Sequence, residues 1–267
     1  NGGVGGSGSL FLSTGAITLG TETATLQENV GLGTLRVDAT GGIVIGGNIT
    51  SGTSGNGTIS LNPTGTLTRT GTGTLIADFI RLGADANAAT LIGATGAGQI
   101  RVQNGAGTAS PTVTATASTG GIFLNQVSGD LLTSSYHLTM PATAQSIELA
   151  TTNGKISVDG TVNGFGTGSV NTNLDNISLT TAGTTNNIDF ILASAGDSLV
   201  GASVVATATG AITSNNTATV DVNVGAGALT LDSATGVGAN VLRVRTAAGT
   251  LAARTRTATN SVFVSEA

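Results

Sequence analysis

Short runs of apolar, any residue, apolar, each preceded by glycine or a polar residue, recur along the whole chain. They are AITL (16–19), TLRV (34–37), GIVI (42–45), TISL (58–61), QIRV (99–102), GIFL (121–124) and SIEL (146–149). KISV (155–158), NISL (176–179), NIDF (187–190), ALTL (228–231), VLRV (241–244) and SVFV (261–264) complete the series. Each alternates as a short strand with one face turned inward. Many steps between runs fall near 16 to 25 residues, as from Ile43 to Ile59, Ile100 to Ile122 and Ile156 to Ile177. Shorter steps, Ile147 to Ile156 and Ile177 to Ile188, read as two strands within one turn of a coil. Imperfect repetition at this period predicts a solenoid, in which no coil buries its apolar side alone and neighbours complete a continuous core.

No stretch predicts a helix, because glycine interrupts nearly every window long enough for three helical turns and strong helix formers are scarce. Two-residue hairpin turns are represented only by scattered Asn-Gly pairs at Asn56, Asn104, Asn153 and Asn163. A sandwich or an up-and-down barrel is therefore the weaker alternative to an all-β, single-stranded parallel β-helix.

Composition sharpens this expectation. The 267 residues include 42 glycines, 3% aromatic and 9% charged residues. Gly and Asn suit the corners of a coil, where positive φ is needed. Stacking places Ile, Leu and Val in ladders inside and Thr, Ser and Asn in ladders outside. A narrow cross-section leaves little room for rings. At about 20 residues per coil the chain makes roughly 13 coils, about 60 Å in length, as one elongated domain over residues 1–267.

Nine Lys and Arg against 14 Asp and Glu give a formal charge of -5, which argues against a nucleic-acid partner bound through its phosphates. Cysteine is absent, so neither a disulfide scaffold nor a Cys-based metal site can form. That absence suits an exported bacterial protein and an extracellular or cell-surface location. No run reaches the roughly 18 apolar residues of a membrane span, and NGGVGGSGSLFL lacks the basic start and apolar core of a signal peptide. Neither terminus reads as a cap, so the chain is expected to be a section or repeat unit of a larger protein or filament.

The segment ALTLDSATGVGANVLRVRTAAGTLAARTRTATNSVFVSEA (228–267) resembles the repeats of large bacterial surface proteins of the filamentous haemagglutinin type. The match runs through the strand at Leu229 to Leu231, the turn at Gly236 to Gly238, Leu242 to Val244, the Gly-Thr-Leu-x-Ala at Gly249 to Ala252, and Val262 to Val264. NISLTTAGTTNNIDFIL (176–192) is similar in style. The resemblance implies a right-handed parallel β-helix, exported by two-partner secretion or as an autotransporter passenger and serving as an adhesin, stalk or surface filament.

Chemistry is sparse. The lone His137 sits beside Tyr136 with no partner identifiable in sequence, and ten acidic residues are spread singly: Asp38, Asp78, Asp130, Glu148, Asp159, Asp175, Asp189, Asp197, Asp221 and Asp232. Coils bring distant residues into register, so a carbohydrate-active β-helix enzyme working through two carboxylates is the competing class. The glycine-rich start lacks the Asp of a calcium nonapeptide repeat. GLGTL (31–35) and GATGAG (93–98) lack the Lys-Ser/Thr of a phosphate loop and read as turns. Sequons beginning at Asn48, Asn56, Asn176 and Asn215 read as chance. Threonine runs at 21–25, 66–70, 112–116 and 255–259 are too unevenly spaced for an ice-binding array and read as outward strand residues.

Arg243, Arg245, Arg254 and Arg256 form the one basic cluster, either an anion-binding stripe or an arginine ladder paired to Asp232 or Glu266. The expectation is a non-enzymatic extracellular rod with no metal or cofactor. It would self-associate end to end or laterally, with a host or cell-surface glycan as a further partner. A self-assembling head-to-tail filament subunit is the alternative within the same class.

Overall fold

The computed structural model describes residues 8–12, 17–19, 26–28, 33–52, 55–85, 87–105, 110–140, 144–160, 165, 174–192, 198–217 and 219–267. Residues 1–7 of the glycine-rich start, Gly31, the threonine run 21–25, Asn163 and Asp197 lie outside them. The chain divides into two compact units, Asn1–Gly129 with Leu138–Pro141, and Asp130–His137 with Ala142–Ala267.

In the first unit the chain passes through three strand positions per coil. These are β1 (Gly8–Leu12), β2 (Ile17–Leu19), β3 (Leu26–Glu28); β4 (Thr34–Ala39), β5 (Ile43–Ile45), β6 (Ile49–Ser51); β7 (Thr58–Pro63), β8 (Thr66–Arg69), β9 (Thr74–Ile76); β10 (Phe79–Leu82), β11 (Leu91–Ile92), β12 (Ile100–Gln103); and β13 (Thr112–Thr116) with β14 (Ile122–Gln126). Every third strand pairs in parallel, giving the series β1-β4-β7-β10-β13, β2-β5-β8-β11-β14 and β3-β6-β9-β12. The register sets like on like. Ile43, Leu67, Ile92 and Ile122 form one inward ladder, and Val37, Leu61, Leu82 and Ala115 another, all wholly buried.

The second unit repeats the plan. After β15 (Leu131–Leu132) and β16 (Tyr136–Thr139) come β17 (Ser146–Thr151), β18 (Ile156–Val158), β19 (Asn176–Thr181), β20 (Ile188–Phe190), β21 (Leu199–Val200), β22 (Ser203–Ala208), β23 (Ala211–Ser214), β24 (Val222–Ser233), β25 (Gly236–Val237), β26 (Val244–Thr255) and β27 (Val264–Glu266). One face is β17-β19-β22-β24-β26 and a second is β15-β18-β20-β23-β25, all parallel. The third consists of β21, the first residues of β24 and β26, and β27. The 12-residue strands β24 and β26 therefore each serve two faces, and their register slips between Asn223 and Ala228 where they turn the corner.

The fold is an all-β parallel solenoid of about 8 turns. Among the described residues helical structure is confined to short 3-10 pieces, at Gly55, Gly96–Gly98 and Thr133–Ser135. Twelve of the thirteen runs read from the sequence fall on a strand or bridge; VLRV (241–244) does not, being a bend that enters β26 only at Val244, with Val241 exposed. The short steps from Ile147 to Ile156 and Ile177 to Ile188 do join two faces of one coil. The expected coil of 20 residues is too short. Ile43 pairs with Leu67 (24 positions on), Leu67 with Ile92 (25) and Ile92 with Ile122 (30), so the turns are fewer than 13. Three faces and their corners consume more chain than one repeated strand and turn. The step from Ile43 to Ile59 joins neighbouring faces and is not a full coil. The interior also accepts rings, since Tyr136, Phe165 and Phe190 are fully buried.

Candidate functional site

The four arginines of the carboxyl-terminal segment separate into two pairs at opposite ends of β26. Arg254 and Arg256 converge on one carboxylate: Arg254 Nη2 donates to Asp232 Oδ2 at 2.5 Å and Arg256 Nε to Asp232 Oδ1 at 2.8 Å. The register dictates this, because Asp232 lies directly opposite Arg254 in the preceding coil. The Arg254 hydrogen bond, opposed by partial burial and reinforced by Arg256, holds the Asp232 carboxyl below its ordinary pKa. Arg243 precedes the strand, is exposed, and has no hydrogen-bond or ion-pair partner among the described residues. Arg245 is half-buried one pleat further on, and its backbone N–H is held by Asp221.

Acidic residues that looked isolated in sequence turn out to share a task. An Asx residue immediately before a strand takes the N–H of the residue facing it in the adjacent coil. Asn48 Oδ1 accepts from Thr74 N (3.1 Å), Asp130 Oδ1 from Lys155 N (3.1 Å) and Asp175 Oδ1 from Gln145 N (2.9 Å). Asn187 Oδ1 accepts from Ala211 N (2.8 Å) and Asp221 Oδ2 from Arg245 N (2.9 Å). The backbone carbonyls of Asp175, Asn187 and Asp221 accept from Ala202 N, Ile156 N and Leu199 N of the coil on the opposite side, so the side-chain oxygen supplies the acceptor for the second neighbouring coil. Two of these carboxylates are entirely enclosed. Asp221 is pushed up to about 6 by burial, against the opposing hydrogen bonds from Arg245 N and Ser214 Oγ. Asp175 is likewise raised by burial, against the hydrogen bond from Gln145 N, with its Oδ2 lacking a hydrogen bond among the described residues.

The outward side of β4, β7 and β10 carries the densest polar cluster. Arg36 Nε donates to Asp38 Oδ2 (3.0 Å), and Asn62 Nδ2 donates to both Asp38 Oδ1 (2.8 Å) and Ser60 Oγ (2.9 Å). Ser60 Oγ donates to Asp85 Oδ2 (2.5 Å), and Arg81 Nε pairs with Asp85 Oδ1 (2.5 Å). The amide of Asn62 is completed by Asp85 N, which donates to its Oδ1 at 3.2 Å. Hydrogen bonds of 2.8, 2.9 and 2.5 Å in sequence bound the Asp38 to Asp85 oxygen separation at about 8 Å. The coils thus bring together two carboxylates that lie in separate parts of the sequence. Each is already engaged by its own guanidinium, and the groups between them are an amide and a hydroxyl, neither of which is a good proton carrier near neutral pH.

Phe79 lies on this same face. It leads β10, points outward with Arg81, and is 52% exposed, while Ile80 and Leu82 between them are buried. Its lateral neighbours are Thr58 of β7 and Thr112 of β13, and those of Arg81 are Ser60 and Thr114. Sequence reasoning found the ten single acids but missed this patch. The available signal was FIRL (79–82), an apolar-x-apolar run led by an aromatic residue in an outward phase.

Other candidates take ordinary places. Tyr136 is a core residue and His137 a half-buried outward one, each with interactions of its own. Among the described residues no group of three or more His, Cys, Asp or Glu could hold a metal ion. GATGAG is a corner, with Gly93 and Gly96 at φ 72° and 60°. Thr112, Thr114 and Thr116 alternate outward with buried Val113 and Ala115. No described helix is long and apolar enough to cross a membrane. Compared with protein-family models, curated proteins and solved structures, the chain matches none.

Proposed function

We propose that this chain is an extracellular structural and adhesive element of a bacterial surface, a stalk or adhesin of the filamentous haemagglutinin type that works through stiffness and surface contact. The observation that supports it most is the like-on-like register from β17 to β24, in which neighbouring coils bury each other's ladders and take up each other's corner amides. Such stacking produces stiffness with no requirement for a reacting site. The carboxylates that a hydrolase would use are committed to guanidinium partners and to corner amides, which favours a non-catalytic role. The test is antibody labelling of the native cells with and without permeabilisation. Labelling of intact cells is expected; a signal seen only after permeabilisation overturns the proposal.

A second reading, assembly into a filament, is favoured by the exposure of Leu251. Leu251 continues the ladder of Ile147, Ile177, Val204 and Leu229, yet it is 38% exposed where the others are essentially buried. An exposed leucine beside a strand edge that has no second ladder partner among the described residues is suited to receiving another strand. Concentration-dependent polymers that Leu251→Lys abolishes, read by sedimentation and negative-stain microscopy, are expected; strictly monomeric behaviour at high concentration refutes this second reading.

A further inference from the structure

We propose that the outward face of β10 and β13, with Thr58 of β7 at its edge, is a binding site for a neutral glycan, centred on Phe79 and Arg81. The inference rests on the adhesive reading above and gives it a location. An aromatic ring half-exposed on a flat sheet face is a costly placement for a residue type that makes up so little of this chain, while Tyr136, Phe165 and Phe190 are buried. Thr58 and Thr112 flank the ring in the adjacent coils, and neither is large enough to cover it. The ring can therefore take the apolar C–H face of a pyranose.

One pleat along the strand, Arg81 is 47% exposed and uses its Nε on Asp85, and its terminal amino groups have no partner among the described residues. On a half-exposed side chain they are available as donors, while Asp85, held by Arg81 and Ser60, keeps acceptor capacity beside them. Donor and acceptor side by side, next to an apolar platform, match a sugar that presents adjacent hydroxyls above a C–H face. The Arg81–Asp85 and Arg36–Asp38 pairs leave the patch with no net charge, and the whole chain carries -5. Both features favour a neutral glycan over a polyanion. The site is bounded on its β7 side by a closed polar network, since Ser60 and Asn62 are buried and Asn62 ties Asp38, Ser60 and Asp85 together.

The experiment is binding of the full chain to an array of neutral oligosaccharides, containing mannose, galactose and N-acetylglucosamine, with polygalacturonate and heparin as acidic comparators. Phe79→Ala, Phe79→Trp and Arg81→Ala are compared with the unaltered protein, each first shown to unfold at the same temperature. The unaltered protein should retain neutral glycans, and Phe79→Ala and Arg81→Ala should each weaken binding roughly tenfold or more. Phe79→Trp should preserve it, because a larger ring keeps the stacking platform. Neutral-glycan binding that ignores both alanine variants overturns the site and leaves the adhesive reading standing. Binding of the acidic polymers alone overturns the choice of ligand. Failure to bind any glycan overturns the site and the glycan part of the adhesive reading together, with the surface location still decided by the labelling experiment.

Discussion

Asp221 illustrates how much a single buried group can contribute in a fold with few charges. It is fully enclosed, accepts from Arg245 N and Ser214 Oγ, and titrates near 6 because burial penalises its charged form. The folded state therefore binds the proton more tightly than the unfolded chain, whose carboxyl titrates at about 3.8. Stability from this group is greatest at low pH and is lost as pH rises from about 4 through about 6, by no more than about 3 kcal/mol. Asp221→Asn can keep the acceptor for Arg245 N without the charge. We expect its melting temperature to be flatter than that of the parent between pH 4 and 7, measured by circular dichroism. Asp232 acts in the opposite sense. Its pKa is lowered by Arg254 and Arg256, so its contribution is present above its unfolded value of 3.8 and is lost as pH falls through the folded one. Asp232→Asn should therefore remove a stabilising increment at pH 7 and make little difference at pH 2. Asn62, buried and satisfied by three partners, is the polar keystone of the β4–β7–β10 face. Asn62→Ala should cost about 2–3 kcal/mol in urea unfolding, because it removes the acceptor of Asp85 N and one hydrogen bond each from Asp38 and Ser60, which keep only Arg36 and Asp85 respectively.

At the level of strands, the same residue type has different weight according to its place in a ladder. Leu229 is sandwiched between Val204 and Leu251 and is 1% exposed, whereas Leu251 is 38% exposed. Leu229→Ala should cost about 3 kcal/mol or more and Leu251→Ala about 1 kcal/mol, checked by chemical denaturation of both variants. Equal losses would mean that Leu251 is covered in solution. The corner between the two halves of β24 sets a second local constraint. A Cβ at Gly227 would lie 1.8 Å from the Ala202 carbonyl oxygen, so coils can stack at this corner only if the position has no side chain. Gly227→Ala should be strongly destabilising. The pairing of β24 with β22 would have to open to admit the methyl group.

Across the molecule, stability is expected to follow nearest-neighbour stacking, since each coil contacts chiefly those beside it. Within the second unit β19 and β22 have ladder partners on both sides, while the carboxyl-terminal half of β26 has only β24 among the described residues. Amide exchange should then be slowest in β19 and β22 and fastest along β26 and β27, and a uniform protection profile would contradict stacking as the source of stability. The same dependence on neighbours explains which features were legible in the sequence. Twelve of the thirteen apolar-x-apolar runs identified strands because inward alternation is local, while VLRV (241–244) has the alternation but lies in a bend before β26. Strands such as β6, β9, β21 and β23 were overlooked because a two- to four-residue strand carries too little alternation to stand out from a threonine-rich background. Coil length was underestimated because steps between faces and steps between coils have similar lengths, and only hydrogen bonding distinguishes them.

What the sequence determined by itself is the class. Glycine at corners, β-branched residues between them and repetition without helical periodicity permit little besides stacked short strands. Asx residues immediately before strand runs were also present in plain view, as at Asn48, Asp130, Asp175, Asn187 and Asp221, although their shared task shows only once the facing coil is known. Tertiary structure alone decided partners across coils. It set Asp232 against two arginines, joined Asp38 to Asp85 through Asn62 and Ser60, and left Phe79 uncovered beside Arg81. The reason is physical: alternation within a strand is fixed by local backbone geometry, whereas which outward side chains meet depends on how many residues each corner consumes before the chain returns to the same face.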